Sequence, residues 1–127
     1  MEDLTHIASA FDEDDTFATG EFETKVAVWS LRKRAKIVEF DTVLDYGGRR
    51  LAWVKAEDPI VVAGGYVAGA IVGYDALTGS ELWRREDTKK IQSILSVPGT
   101  TQVAAGFDDR PMLILDAATG ETVTTFK

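Results

Sequence analysis

The 127-residue chain has no cysteine and no asparagine, and it carries a single histidine, three prolines and two methionines. Without cysteine, thiolate zinc sites, dithiol redox chemistry and a cysteine nucleophile are excluded, while the redox compartment stays open. With His6 alone, no two-histidine metal site can form within one chain, and any Ser-His-Asp arrangement would have to be built on that residue. A packing or hydrogen-bonding role is the simpler reading of it. Long hydrophobic runs are also lacking. The uncharged, strongly apolar stretch at residues 59–74 is sixteen residues long and is interrupted by Gly64, Gly65, Gly69 and Gly73, too short and too glycine-rich for a spanning helix. Residues 1–24 hold four consecutive acids, Asp12, Glu13, Asp14 and Asp15, and no basic leader, so they do not read as a signal peptide. Positive charge is the scarcer sign: 14 basic against 21 acidic residues leave a net charge of −7, which repels phosphate backbones. The expectation is a cytoplasmic chain with no membrane and no nucleic acid among its partners.

What the chain does have is repetition. Short apolar runs stopped by glycine occur at Thr16, Phe17, Ala18, Thr19 and Gly20, at Val61, Val62, Ala63, Gly64 and Gly65, and at Gln102, Val103, Ala104, Ala105 and Gly106. Ten residues after the last glycine of each run come Ser30, Asp75 and Asp116, each preceded by a second apolar run, so the period is 45 residues and then 41. Further extended segments follow at residues 36–40, 81–84 and 122–126, and others precede the glycines at 7–11, 51–55 and 91–97. Valine, isoleucine, threonine and aromatics dominate these segments, and no useful window shows a 3.6-residue period. The chain therefore reads as all-β, three units of four antiparallel strands at residues 4–41, 49–86 and 90–127, within one domain spanning 1–127. The link 42–48 is the longest irregular connection.

The segments Asp75, Ala76, Leu77, Thr78, Gly79 and Asp116, Ala117, Ala118, Thr119, Gly120 have a direct physical meaning. An aspartate at a strand end accepts hydrogen bonds from backbone N–H groups two residues on, and a glycine four positions later supplies a left-handed φ at no steric cost. Asp75, Thr78, Gly79, Asp116, Thr119 and Gly120 are thus structural turn residues. Unit one has Ser30 and Arg34 instead, so its turn must close differently.

The run from Asp75 through Thr78, Gly79 and Glu81 to Trp83 resembles the tryptophan-docking motif of pyrroloquinoline-quinone-type β-propeller repeats, in which the tryptophan packs on the neighbouring blade. Residues 116–126 are similar but lack that tryptophan. Unit one looks more like a WD40 repeat, with His6, Gly20 and the run Val26, Ala27, Val28, Trp29, although Ser30 stands where that family usually has aspartate and Thr5 where it has glycine. The resemblance implies three four-stranded antiparallel blades, an incomplete, open β-propeller, with Trp29 and Trp83 as blade-packing residues. Propellers close at four to eight blades, and closure removes exposed edges. Three blades leave two faces to be covered by a second copy, by more of a longer chain or by another protein. No spare strand is expected to lock the ring by exchange.

Other clusters read as ordinary surface. Asp12, Glu13, Asp14 and Asp15 lack the glycine and distal glutamate of a calcium loop and suit a solvated hairpin tip. Asp108 and Asp109 fall at another hairpin. The glycines around Tyr66 have no following lysine and open no helix, so a phosphate loop fails on context. Arg32, Lys33, Arg34 and Lys36 form the one concentrated basic patch: a solvated turn, or a contact for an acidic partner. Propellers host unrelated activities, and the expected function is a non-enzymatic protein-interaction scaffold without cofactor, catalytic residue or metal site. It would be completed by self-association, a longer chain or a protein partner. The alternatives are a fragment or relative of a quinone-dependent propeller dehydrogenase, which would call for a complete ring, a calcium site with amide ligands and often vicinal cysteines, or a sugar- or small-molecule-binding propeller using Trp29, Trp53 and Trp83. If the basic patch carries an association, reversing the charge of Arg32 and Arg34 weakens it in a salt-dependent manner, measurable as a raised dissociation constant. An unchanged constant removes the patch from consideration.

Overall fold

The computed structural model describes residues 4–7, 16–21, 25–41, 50–65, 70–86, 91–108 and 110–126. The acidic run at 12–15, the link 42–48, Asp109 and the segment around Tyr66 discussed above lie outside the described residues. Twelve strands run in order: β1 (Leu4–Ile7), β2 (Thr16–Glu21), β3 (Lys25–Ser30), β4 (Ala35–Asp41), β5 (Arg50–Val54), β6 (Ile60–Gly65), β7 (Ala70–Asp75), β8 (Glu81–Arg85), β9 (Ile91–Ser96), β10 (Gln102–Phe107), β11 (Met112–Asp116) and β12 (Thr122–Phe126). They form three antiparallel four-stranded meanders, β1-β2-β3-β4, β5-β6-β7-β8 and β9-β10-β11-β12. No helix occurs among the described residues, and hence none long and apolar enough to cross a membrane.

Two details of register differ from the sequence expectation. The first strand of unit one is Leu4–Ile7, ending where it was expected to begin. Gly20 lies opposite Val26, but in the second sheet Gly64, not Gly65, lies opposite the equivalent Ile71. The β6–β7 hairpin is one residue longer than its counterpart in the first sheet, so counting from the last glycine of each run misplaces the match by one.

The middle sheet explains the uninterrupted apolar character of residues 60–74. Its residues alternate between two cores. Leu51, Trp53, Val61, Ala63, Ala70, Val72 and Tyr74 pack with Ala18, Val26 and Val28 of the first sheet, joined by the partly buried Val38 and Phe40. Ala52, Val54, Ile60, Val62, Ile71 and Trp83 pack with Ile91, Ile94, Val103, Ala105 and Leu115 of the third. A sheet covered on both sides reads as continuous hydrophobic sequence, whereas a half-covered one alternates. Each sheet thus has a front, turned toward the preceding sheet, and a back, turned toward the next. The first strands sit on the inner side: Ser96 Oγ donates to the Trp53 carbonyl at 2.8 Å, and the Arg50 guanidinium donates to the Gln92 carbonyl.

All three sheets carry the same irregularity. The pairing slips between Val28 and Trp29, between Gly73 and Tyr74, and between Ile114 and Leu115, leaving Ile37, Leu82 and Val123 as the extra residues on the outer strands. These three apolar side chains are exposed. Their exposure follows from the bulge, which sets one residue outside the ladder and sharpens the local twist.

Substitution of the fully buried Ile71 by alanine is expected to cost about 2–5 kcal/mol, because it deletes methyl groups where two sheets meet. Ile37→Ala, at a bulge, is expected to stay within about 0.5 kcal/mol of the parent. Urea or guanidinium denaturation of the two variants checks the difference.

Candidate interaction surfaces

The two aspartate turns close in the same way. Asp75 Oδ1 accepts from the N–H groups of Leu77 (2.9 Å) and Thr78 (3.1 Å), and the Gly79 N–H donates to the Asp75 carbonyl at 2.8 Å. Asp116 Oδ1 accepts from Ala118 (2.7 Å) and Thr119 (3.3 Å), and the Gly120 N–H donates to the Asp116 carbonyl at 2.7 Å. Thr78 and Thr119 hydroxyls accept from the N–H two residues on, at 3.2 Å in both turns. Gly79 and Gly120 have φ of 79° and 78°. The first turn has a shorter donor set: Ser30 Oγ accepts one bond, from the Lys33 N–H at 3.2 Å, and Arg34 adopts φ 53°, a conformation that an L side chain occupies at a cost.

These turns also receive the preceding sheet. The Trp83 indole N–H donates to the Ala117 carbonyl at 2.6 Å. A Cβ on Gly120, in the same turn, would overlap the indole from one side, and a Cβ on Gly73, paired with Trp83 in its own sheet, would overlap it from the other. The ring is clamped between glycines of adjacent sheets. One sheet earlier Phe40 plays this part: its ring centroid lies 5.1 Å from that of Tyr74, and a Cβ on Gly79 would come within 2.7 Å of it. The sequence motif pointed to Trp83; Phe40 carried no such motif, and only the repeat alignment with residue 85 places it on the back of its sheet.

Trp29 occupies a different place. Val26 and Val28 enter the core toward the second sheet, so Phe17, Thr19, Ala27 and Trp29 occupy the front of the first sheet, which no described sheet covers. The Trp29 indole N–H donates to Thr19 Oγ1 at 2.9 Å, and Lys36 Nζ stands 5.2 Å from its ring centroid, within reach of a cation–π attraction. Trp53 is buried between the first and second sheets.

The basic cluster divides. Arg32, Lys33 and Arg34 are exposed on the β3–β4 turn, while Lys36, at the start of β4, pairs with Glu39 at 2.6 Å. That hydrogen bond, ahead of the charge of Lys25, holds the Glu39 carboxyl below its ordinary range. Its contribution is present above the unfolded carboxylate pKa and fades as pH falls through the lowered value. Lys25 pairs with Asp41 at 3.3 Å, and Arg84 pairs with Glu81 at 2.7 Å on the equivalent strand of the second sheet. These pairs are solvated and contribute little.

On the back of the third sheet, Leu95 is 64% exposed, Met112 40% and Phe126 51%. Register places Leu95, Ala104, Ile114 and Thr124 in one row across this face, with Met112 opposite Phe126 in the next. Met112 holds the position of the fully buried Val26 and Ile71. The motif reading did not single out these residues, although the repeat alignment could have found them. A pocket of about 350 Å³, sharing Leu95 with this face, opens between the inner strands β5 and β9, its lining also including Leu51, Trp53, Lys55 and Thr100. No group of three or more histidine, aspartate or glutamate side chains suited to a metal occurs among the described residues.

Meanders stacked face to face, fanning from their first strands and docked through the turn before the last strand, are the blades of a β-propeller. No protein-family model matches the chain, and no curated protein matches it. Its solved structural neighbours include the WD40 repeats of RRP9 (TM-score 0.79, 14% identity, 99% of this chain and 39% of that one) and U3-55K (0.79, 14%, 100% and 40%). Another is BamB from Moraxella catarrhalis (0.69, 16%, 91% and 32%). The chain spans about a third to two-fifths of these proteins, so it is a partial propeller, an arc of three blades.

Gly99→Ala and Gly120→Ala separate backbone strain from docking. Both glycines have φ near 77°, but a Cβ on Gly99 meets nothing within 4 Å. Gly99→Ala is expected to cost about 1 kcal/mol, and Gly120→Ala at least about 2 kcal/mol more, because it also displaces the indole. Equilibrium denaturation followed by tryptophan fluorescence measures both.

Proposed function

We propose that this chain is a non-enzymatic, cytoplasmic protein-interaction scaffold, an arc of blades that binds protein through its open face. The observation that carries this reading is the back of the third sheet. Leu95, Met112 and Phe126 form an exposed apolar surface, Met112 in the place of Val26 and Ile71, Phe126 in that of Phe40 and Leu95 in that of Ala52, all of which pack against a following sheet. Burying such a surface is worth about 25 cal/mol per Å². A contiguous patch of this kind on a soluble chain marks a contact site.

The chemistry of the patch favours protein over other ligands. A sheet face without a positive cluster suits another packed surface, and the net charge of −7 opposes polyanions and acidic membranes. The carboxylates Glu39, Asp41, Glu81 and Glu86 are engaged with Lys25, Lys36 and Arg84 on outer strands. Asp75 and Asp116 accept the backbone bonds of their turns, a structural use of the two carboxylates most prominent in the sequence.

A photoreactive phenylalanine analogue placed at position 95 is expected to form a discrete protein adduct in cells, while the same group at the exposed turn residue Thr78 forms none. Absence of an adduct at 95, or equal labelling at both positions, overturns the reading.

A further inference from the structure

The geometry points to a second copy of this chain as the occupant of the open back face, seated by the front of its first blade; this rests on reading that face as a protein-binding surface. The chain makes the same contact twice within itself, back of one sheet on front of the next. The open back of the third sheet and the front of the first, which no described sheet covers although its Thr19 and Ala27 are buried, are the two halves of that contact left over.

The residues on each half support the match. On the front, Phe17, Ala27 and Trp29 hold the register positions of Val61, Val72 and Tyr74 and of Val103, Leu113 and Leu115. Ile7, opposite Thr19, holds the position of Leu51 and Ile94. Leu31 is 51% exposed where Ala76 and Ala117 are fully buried, adding an apolar side chain to the turn of the first blade. On the back, Met112 and Phe126 stand where Ile71 and Val26, and Phe40, meet a following sheet. Gly64 admits the methyl groups of Ile94 and Ile91, with a hypothetical Cβ only 2.9 and 3.0 Å from them; Gly106, its equivalent, meets nothing within 4 Å except Ser93 Oγ. That notch is empty and of the same kind.

Sizes are exchanged at one of the two ring positions of the proposed contact. Inside the chain a large docking ring meets a glycine, Phe40 on Gly79 and Trp83 on Gly120, from two different register positions. At the free ends the residue in the place of Trp83 is the small Thr124, the residue in the place of Phe40 is Phe126, and the residue in the place of the glycine is the large Arg34, on the turn that would face them. Phe126 then offers its ring face to the Arg34 guanidinium. Two of the described three-blade arcs together give six blades, within the four-to-eight range in which propellers close. The contact is head-to-tail and closes after two steps.

Sedimentation equilibrium or light scattering at micromolar concentration is expected to give twice the chain mass. Met112→Asp blocks the back and Trp29→Asp the front, and each alone is expected to raise the dissociation constant at least tenfold. An equimolar mixture of the two regains a dimer, because one unblocked back then meets one unblocked front. Arg34→Glu, on an exposed turn, is expected to weaken association while circular dichroism and denaturation midpoint stay unchanged, which keeps the test independent of any folding defect in the other two. A wild-type chain that stays monomeric at 100 µM overturns the second-copy assignment. So does a dimer that Met112→Asp breaks while Trp29→Asp and Arg34→Glu leave intact, since that contact would be back-to-back. A monomeric chain with a foreign-protein adduct at position 95 overturns this inference alone, and a monomer with no adduct overturns the protein-binding reading as well.

Discussion

The Trp83 indole, held between Gly73 of its own sheet and Gly120 of the next and tied to the Ala117 carbonyl, is the contact on which the relation of second to third blade depends. A twisted sheet has no intrinsic reason to stop at one offset from its neighbour. Aliphatic faces tolerate sliding, since burial is nearly indifferent to direction. An aromatic ring that fits only where two glycines leave room, with its one donor satisfied by one carbonyl, sets both distance and register. The aspartate turn exists to present that glycine and that carbonyl, so turn chemistry and blade packing are one device.

The two junctions solve the same packing problem with different residues. Where the second blade pairs Gly73 with Trp83 against the third, the first pairs Val28 with Val38 against the second. Two mid-sized side chains occupy the space of one large and one absent, the volume conservation that close-packed cores demand. The bulge after these pairs recurs in every blade and throws Ile37, Leu82 and Val123 outward. An exposed apolar residue at that position marks the repeat, and it is unlike the exposed Leu95, Met112 and Phe126, whose counterparts pack against a following sheet.

That distinction organises the function. Repeat arrays need their ends covered or polar, and here the front of the first blade is partly dressed by the Trp29–Thr19 bond, Lys36 over the ring and the Lys25–Asp41 pair. The back of the third blade has no comparable polar dressing among the described residues. The arc is therefore directional, and the back of the third blade exposes the unmet half of its own internal contact.

Much of this was legible in the chain. Glycine-stopped apolar runs, aspartate four residues before glycine, and the place of Trp83 after the first such turn led to three four-stranded units, because turn chemistry and side-chain alternation are local properties of sequence. The start of β1 and the match of Gly64 with Gly20 were not legible: a one-residue difference in hairpin length leaves the composition unaltered and shifts every equivalence across it. Nor could sequence say that Trp29 faces away from the second sheet while Trp83 clamps the third, or that Phe40 does for one junction what tryptophan does for the next. The sequence by itself determined the strands, the turns and the repeat. Only the tertiary structure decided which faces meet and which are left without a neighbouring sheet, because facing depends on register summed along each sheet and on which neighbour is present to cover it.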